Sequence, residues 1–347
     1  AFGVRDYIRY ENLLDSIRWD INDFVDWVAS DNPRTKYRNL ITQSGGDTSD
    51  YPENALETVF YPTNKIRLPV NKENVIKSGL VKEKDSDLIL DYIDIDLPES
   101  IITKNQIMML DILANNNWER PIYFTGGSYE EAEYIWMKDY LQLDGLVYKL
   151  VPIKTSIENN PYEMGRIDSD LMYDIVKKWS WGNSESDEIY HDPETRKNSI
   201  SFRGNLSRLS EKLISEGEYE KAEEILDLAF SKMPIDYYGY YSLWTPLVKS
   251  YYDIGKSEKV REIVQKLSFK YSDRLSYFSS LEIFNQYDVG EEIISDIERF
   301  RNLIETIQES GEREILADQI KSFISSSEQF NYIYGEYDYY ISLSNFI

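Results

Sequence analysis

No cysteine occurs in the 347 residues, which removes disulfides, thiolate metal sites and cysteine nucleophiles in one step. Histidine is almost as scarce. His191 is the only one, so a histidine-based triad and a multi-histidine metal site are both excluded. Basic charge is short as well: 38 Lys and Arg stand against 62 Asp and Glu, a formal net charge of -24. A field of that sign repels polyphosphate and anionic headgroups, which makes nucleic acid a poor partner. Long apolar runs are missing; stretches such as Ile107-Met108-Met109-Leu110 fall far below the ~20 residues that span a bilayer. The chain opens at Ala1 with no initiator Met, basic n-region or apolar h-region. It therefore reads as an excised or processed segment, with any targeting signal or membrane span outside these residues.

What is present can build cores. Hydrophobic residues make up 41% and aromatics 14%, with 29 Tyr and 7 Trp, so global disorder is not expected. The length suggests two domains. From Asp6 to Val28 the apolar residues Tyr7, Leu13, Leu14, Ile17, Ile21, Phe24, Val25 and Val28 partly follow helical spacing, which predicts a helix ending before Asn32-Pro33. Short strands are expected over Thr58 to Tyr61 and Lys65 to Val70, the second with Ile66, Leu68 and Val70 on one face. Thr103 is the expected N-cap of a helix through Ile107, Leu110, Ile112 and Leu113. Pro121 to Thr125 reads as a buried strand, Tyr129 to Leu143 as a helix and Leu146 to Val151 as a strand. That succession implies a right-handed parallel βαβ unit. The fold class is thus α+β, of α/β type, over residues 1–160.

The segment Lys154 to Gly165 has no periodicity and is the expected boundary, followed by an all-α domain at 166–347. Arg203 to Pro234 fits the roughly 34-residue tetratricopeptide pattern, with Leu206, Leu209, Leu213, Gly217, Tyr219, Ala222, Leu226, Ala229 and Pro234 in place. A degraded copy uses Trp244, Leu247, Tyr251, Gly255, Val260, Val264 and Leu267. A weaker third uses Phe300, Leu303, Ile307, Gly311, Leu316, Ile320 and Phe323. Three hairpins are about the minimum for such stacking.

No catalytic residue, metal-ligand set or cofactor-binding motif is read. Asp94-Ile95-Asp96 has the D-x-D form that can hold a divalent metal, but alternation with Ile93, Ile95 and Leu97 explains both aspartates as the wet face of a strand. His191 lies in the polar run Asp187 to Arg196. Gly126-Gly127-Ser128 sits where a phosphate loop would but lacks its lysine and spacing, and reads as a turn. Aromatic clusters remain, at Tyr237, Tyr238, Tyr240, Tyr241 and Trp244 and at Tyr332, Tyr334, Tyr337, Tyr339 and Tyr340. They suit peptide or sugar recognition, but packing in helix seams uses the same residues and is the reading favoured here, because aromatics are routine core residues. Because tetratricopeptide arrays bind peptides along the first helix of each hairpin, Tyr240, Tyr241, Trp244 and Tyr251 are the candidate binding residues.

The run from Thr103-Lys104-Asn105-Gln106 through Leu110-Asp111-Ile112-Leu113-Ala114-Asn115-Asn116-Asn117-Trp118-Glu119-Arg120-Pro121-Ile122-Tyr123-Phe124 resembles a family of bacterial membrane proteins related to protein O-mannosyltransferases. So do Tyr140 through Pro152, Val28 through Lys36, Tyr61 through Lys65 and Trp181-Gly182-Asn183. The resemblance covers most of the first 270 residues. It implies the soluble tail of a GT-C type glycosyltransferase on the periplasmic side of the inner membrane. The parent would transfer a sugar, mannose by the resemblance, from a polyprenyl-phosphate carrier to Ser or Thr. The catalytic acid would belong to the membrane portion, so none is carried onto this chain. The implied partners are that membrane portion and Ser/Thr-containing acceptor polypeptides. Two other readings are a glycan-binding module and a scaffold for an envelope complex. Glycan-binding proteins of the outer-membrane uptake type usually begin with a lipidated Cys, which this sequence does not contain.

Overall fold

The computed structural model describes residues 7–14, 17–125, 133–155, 164–238 and 244–334. The chain divides into two compact units, residues 1–168 and 169–347.

Unit 1 combines helices with three small sheets. In the first, β1 (Tyr7–Tyr10) runs parallel to β3 (Phe60–Tyr61) and antiparallel to β6 (Ile101–Thr103). In the second, β4 (Lys65–Pro69) runs parallel to β2 (Trp19–Asp20) and antiparallel to β5 (Tyr92–Asp96). The register pairs Ile66 with Ile95 and Leu68 with Ile93, so the apolar faces of two alternating strands coincide and all four side chains are buried. The third sheet is antiparallel throughout, with β9 (Val147–Leu150) between β7 (Tyr123–Thr125) and β8 (Leu141–Asp144). Among the described residues, five α-helices accompany the sheets: α1 (Ile21–Ala29), α2 (Tyr37–Gln43), α3 (Glu53–Leu56), α4 (Lys72–Lys77) and α5 (Lys104–Asn116).

Three expectations are corrected here. The helix read over Asp6 to Val28 is α1 alone, which buries Ile21, Phe24, Val25 and Val28 at helical spacing and is capped by Asp20 accepting from the Asn22 amide. Upstream, Tyr7–Tyr10 is a strand that buries Ile8 between two partners, and Leu13 and Ile17 are exposed. The βαβ unit is an antiparallel hairpin instead. Asp144 pairs with Val147 across Gly145 and Leu146, and Gly145 has the positive φ (72°) that a two-residue hairpin loop places at its first position. Leu141-Gln142-Leu143-Asp144 does alternate apolar and polar, but over only four residues, too short a stretch to outweigh the helical reading that ran into it. β7 is also less buried than expected, with Tyr123 49% exposed.

Strands of two to five residues hold few ladder bonds, and side chains fasten them further. Trp27 Nε1 donates to Phe60 O at 2.6 Å, Tyr61 Oη to Pro98 O at 2.6 Å, and Arg18 Nη1 to Ile66 O at 3.0 Å. At the end of α5, which opens with the Thr103–Gln106 capping box, Asn117 and Trp118 both have left-handed backbones (φ 46° and 60°). Each such residue costs roughly 1–2 kcal/mol. The turn is fixed by Asn74 Nδ2 donating to Asn117 O at 2.9 Å, and by the buried Trp118 donating from Nε1 to Pro69 O at 2.7 Å.

Among its described residues unit 2 is built of helices, with no strand: α6 (Ser169–Val176), α7 (Pro193–Ser215), α8 (Tyr219–Lys232), α9 (Trp244–Asp253), α10 (Ser257–Ser280), α11 (Ile283–Asp288), α12 (Gly290–Glu309), α13 (Leu316–Ser327) and α14 (Asn331–Tyr334). α7–α8, α9–α10 and α12–α13 are hairpins, and one turn recurs in all three. Gly217, Gly255 and Gly311 have φ of 79°, 75° and 74°, and the next amide reaches back to the carbonyl of Leu213, Tyr251 or Ile307. This is the Schellman closure, which favours glycine. α9 packs against α7, α8, α10 and α12, and α10 against α12 and α13, so each hairpin covers its neighbour. Leu206, Leu209, Leu213, Ala222, Leu226 and Ala229 are all fully buried. Ala222→Trp is expected to destabilise by ~1–3 kcal/mol through overpacking of the α7–α8 contact. Urea denaturation measures it, and an unchanged midpoint would contradict close helix approach at this position.

Candidate functional site

Trp244 and Tyr251 lie on α9 but inside the hairpin seam. Trp244 is 0% exposed, stacked on Phe230 with centroids 4.7 Å apart, and carries the Arg203 guanidinium 4.6 Å over its ring. Its indole N–H has no hydrogen bond among the described residues. Burying ~150–250 Å² of aromatic surface at ~25 cal/mol/Å² is worth about 4–6 kcal/mol, against ~1–3 kcal/mol for an unpaired donor, so burial wins. Tyr251 is 2% exposed and donates from Oη to Asp227 Oδ1 at 2.6 Å. Burial, with Asp227 beside it, pushes its phenol well above the ordinary value. Both rings fill the packing role that the sequence favoured. Tyr240 and Tyr241, like Gly126-Gly127-Ser128, Tyr337, Tyr339 and Tyr340, lie outside the described residues.

The D-x-D aspartates sit on β5 as alternation requires. Arg67 grips Asp94 through two hydrogen bonds of 2.8 and 3.2 Å and stacks 3.5 Å over Tyr92, while Arg18 reaches Asp96 at 3.0 Å. Among the described residues, no group of three or more His, Asp or Glu side chains is arranged to hold a metal. His191 is spent on structure: its Nε2 lies 2.8 Å from Ser186 O and its ring stacks on Tyr237 at 5.5 Å. The most buried charges of unit 1 are Asp144 and Lys149, which pair at 2.9 Å with Gln142 Nε2 also donating to Asp144. Such a pair is near break-even for stability.

Sequence reasoning passed over the aromatic site that unit 2 does present. After α6 the chain turns through Trp179, Trp181, Gly182 and Asn183, the last two with positive φ (57° and 63°). Trp179 and Trp181 are half-buried, with ring centroids 5.6 Å apart, and both pack on Phe202 of α7 at 5.3 and 5.7 Å. Together with Val176, Asn183, Glu185 and Leu228 they line an open cleft of about 420 Å³ against α8, inside the ~300–1,000 Å³ range of small-molecule sites. Its walls are held in place. Ser184 Oγ donates to Lys232 O at 2.7 Å, Tyr238 Oη to Ser184 O at 3.1 Å, and Lys177 bridges to Glu224 at 2.9 Å. Lys232 pairs with Glu185 and holds that carboxyl below its usual range. Glu224 is lowered by Tyr173 and Lys177, and its hydrogen bond raises the Tyr173 phenol to about 12. Because the folded carboxyl values are depressed, these ties are complete at neutral pH and are lost as pH falls through them. The signal in the sequence was two tryptophans one residue apart before Gly-Asn, which reads as one more aromatic cluster until Phe202 is placed beside it.

Comparison with protein families adds the chain's relationship. Residues 1–171 match the family model for TMEM260-associated domain 2. No curated protein and no solved structure matches the chain. The TMEM260-associated domain 2 match spans unit 1 and the first residues of α6, so the tryptophan cleft lies beyond it. It relates the first half of the chain to a membrane-protein family, while no helix among the described residues is long and apolar enough to cross a membrane. Trp244→Ala is expected to cost ~3–5 kcal/mol of stability through the cavity it leaves. Calorimetric unfolding reads it, and a loss under ~1 kcal/mol would put the ring outside the core.

Proposed function

We propose that this chain is a non-catalytic, ligand-binding region of a membrane protein that resembles an O-mannosyltransferase-type glycosyltransferase, held on the periplasmic side of the inner membrane. Its helical hairpins bind Ser/Thr-containing acceptor polypeptides or dock on the parent's membrane portion. The relationship is supported by the match to a domain named for TMEM260, itself an O-mannosyltransferase. The observation that carries the binding role is the stacking of three hairpins, with α9 packed against both α7 and α12. First helices aligned in this way form one continuous face, the geometry on which repeat arrays receive extended chains. Trp244 and Tyr251 support that face from within the seam, and Tyr240 and Tyr241, just ahead of α9 in the sequence, remain the aromatic contact candidates.

The charge of -24 directs the choice of ligand. Neutral or basic segments should bind better than acidic ones, and the preference should shrink as salt screens charges beyond ~8 Å at physiological ionic strength. The test is an NMR titration of the chain and its Tyr241→Ala variant with unfolded Ser/Thr-containing peptides of graded charge. Shifts are expected along α7, α9 and α12, weaker in the variant and smaller for acidic peptides. Absence of shifts on those helices at millimolar peptide leaves a structural tail as the better reading.

A further inference from the structure

The cleft beside α8 offers a combination that peptide docking on α7, α9 and α12 does not use. Its two cationic lining residues are neutralised within the fold, Lys177 by Glu224 and Lys232 by Glu185, and Glu185 is the only carboxylate among its lining residues. The site therefore has little charge to spend on a phosphate, a carboxylate or an ammonium group. What it has to spend is neutral. The indole N–H groups of Trp179 and Trp181 and the carboxamide of Asn183 make no hydrogen bonds among the described residues. These donors, with the amide oxygen as acceptor, border half-buried aromatic faces and the apolar side chains of Val176 and Leu228. Aromatic face next to neutral hydrogen-bonding edge is the complement of a pyranose ring, which has an apolar C–H face and a rim of hydroxyls.

We propose that this cleft is a carbohydrate subsite that takes a neutral hexopyranose unit of a glycan, stacked on the Trp179–Trp181 surface with its hydroxyls meeting Asn183 and the indole N–H groups. An extended peptide fits the cleft less well. The two indoles touch each other edge to face, 5.6 Å apart at 63°, so no slot runs between them for successive side chains, and the volume of about 420 Å³ suits a compact ligand. The backbone is already set for such a ligand. Gly182 and Asn183 hold left-handed conformations (φ 57° and 63°), and Ser184 is anchored to the end of α8, so little ordering entropy remains to be lost on binding.

The experiment titrates the full chain, by NMR at the indole N–H resonances, with methyl gluco-, galacto- and mannopyranosides and their disaccharides. Proline-containing peptides and inorganic phosphate form the comparison arms. Saturable shifts of the Trp179 and Trp181 indoles are expected with at least one neutral sugar and with neither comparison arm. Trp181→Ala should weaken binding roughly tenfold or more. Because Trp181 also packs on Phe202, Asn183→Gly is the second variant: glycine accepts the positive φ, so the carboxamide is removed with the turn intact, and a several-fold loss with an unchanged melting temperature is expected. The proposal fails if no sugar shifts the two indoles at tens of millimolar, if peptide or phosphate shifts them as strongly, or if folded Asn183→Gly binds as the parent does.

Discussion

Unit 2 depends on a single constraint: each helical hairpin carries an apolar face that only the next hairpin can cover. Trp244 is where this is most concentrated. Its ring is stacked on Phe230 of α8 and covered by Arg203 of α7, so one side chain joins three helices. Arg203 is itself fully buried, with its guanidinium directed to the Ser199 hydroxyl of its own helix at 3.0 Å, and Ser210 meets Ser250 at 3.2 Å across the same α7–α9 contact. The seam is therefore mostly apolar, with the Ser199, Ser210 and Ser250 hydroxyls bonded inside it and the Trp244 indole N–H left without a partner among the described residues. The third hairpin repeats the logic with Phe300 against Phe323 and Tyr271.

Unit 1 solves a different problem. Its sheets are too short to hold themselves by ladder bonds, since isolated pairs of short strands are marginal in water. Side chains reaching backbone carbonyls from distant segments supply the missing closure: Arg18 to Ile66, Trp27 to Phe60, Thr63 to Ile17 and Trp118 to Pro69. Tryptophan suits this work because it combines a large buried surface with one directional donor. The Asn116-Asn117-Trp118 run, which carries part of the family resemblance, has a matching physical reason. It turns the chain out of α5 through two left-handed residues, and the bonds from Asn74 and Trp118 offset the strain.

The two units also differ in what they leave available for binding. In unit 1 the chemically suggestive groups are engaged: Asp94 and Asp96 by arginines, and Asp144 by Lys149 and Gln142. In unit 2 the aromatic residues of the hairpins are mostly absorbed by packing, whereas Trp179 and Trp181 precede the first hairpin and keep an open side. The chain is strongly acidic, whereas the charged residues lining the cleft are ion-paired within the fold. The two proposals above thus rest on different physics, one on the long-range field and the other on shape and neutral hydrogen bonding.

Much of this architecture was legible from local patterns. Period-two alternation identified β4 and β5 and explained the D-x-D aspartates. Thr103 announced α5, and the spacing of leucines, alanines and glycines marked the hairpins, because those rules act over a few neighbouring residues. Tertiary structure decided whatever depended on a distant partner. Residues 141–144 became a strand because β9 pairs with them across the Gly145–Leu146 turn, and Tyr7–Tyr10 because β3 and β6 flank it. Trp244 and Tyr251 went inside because Arg203, Phe230 and Asp227 were there to receive them, whereas Trp179 and Trp181 kept an open face because α8 stands across a cleft from them. Composition fixes how much aromatic surface a chain carries, but which rings face solvent is set by where the other helices pack.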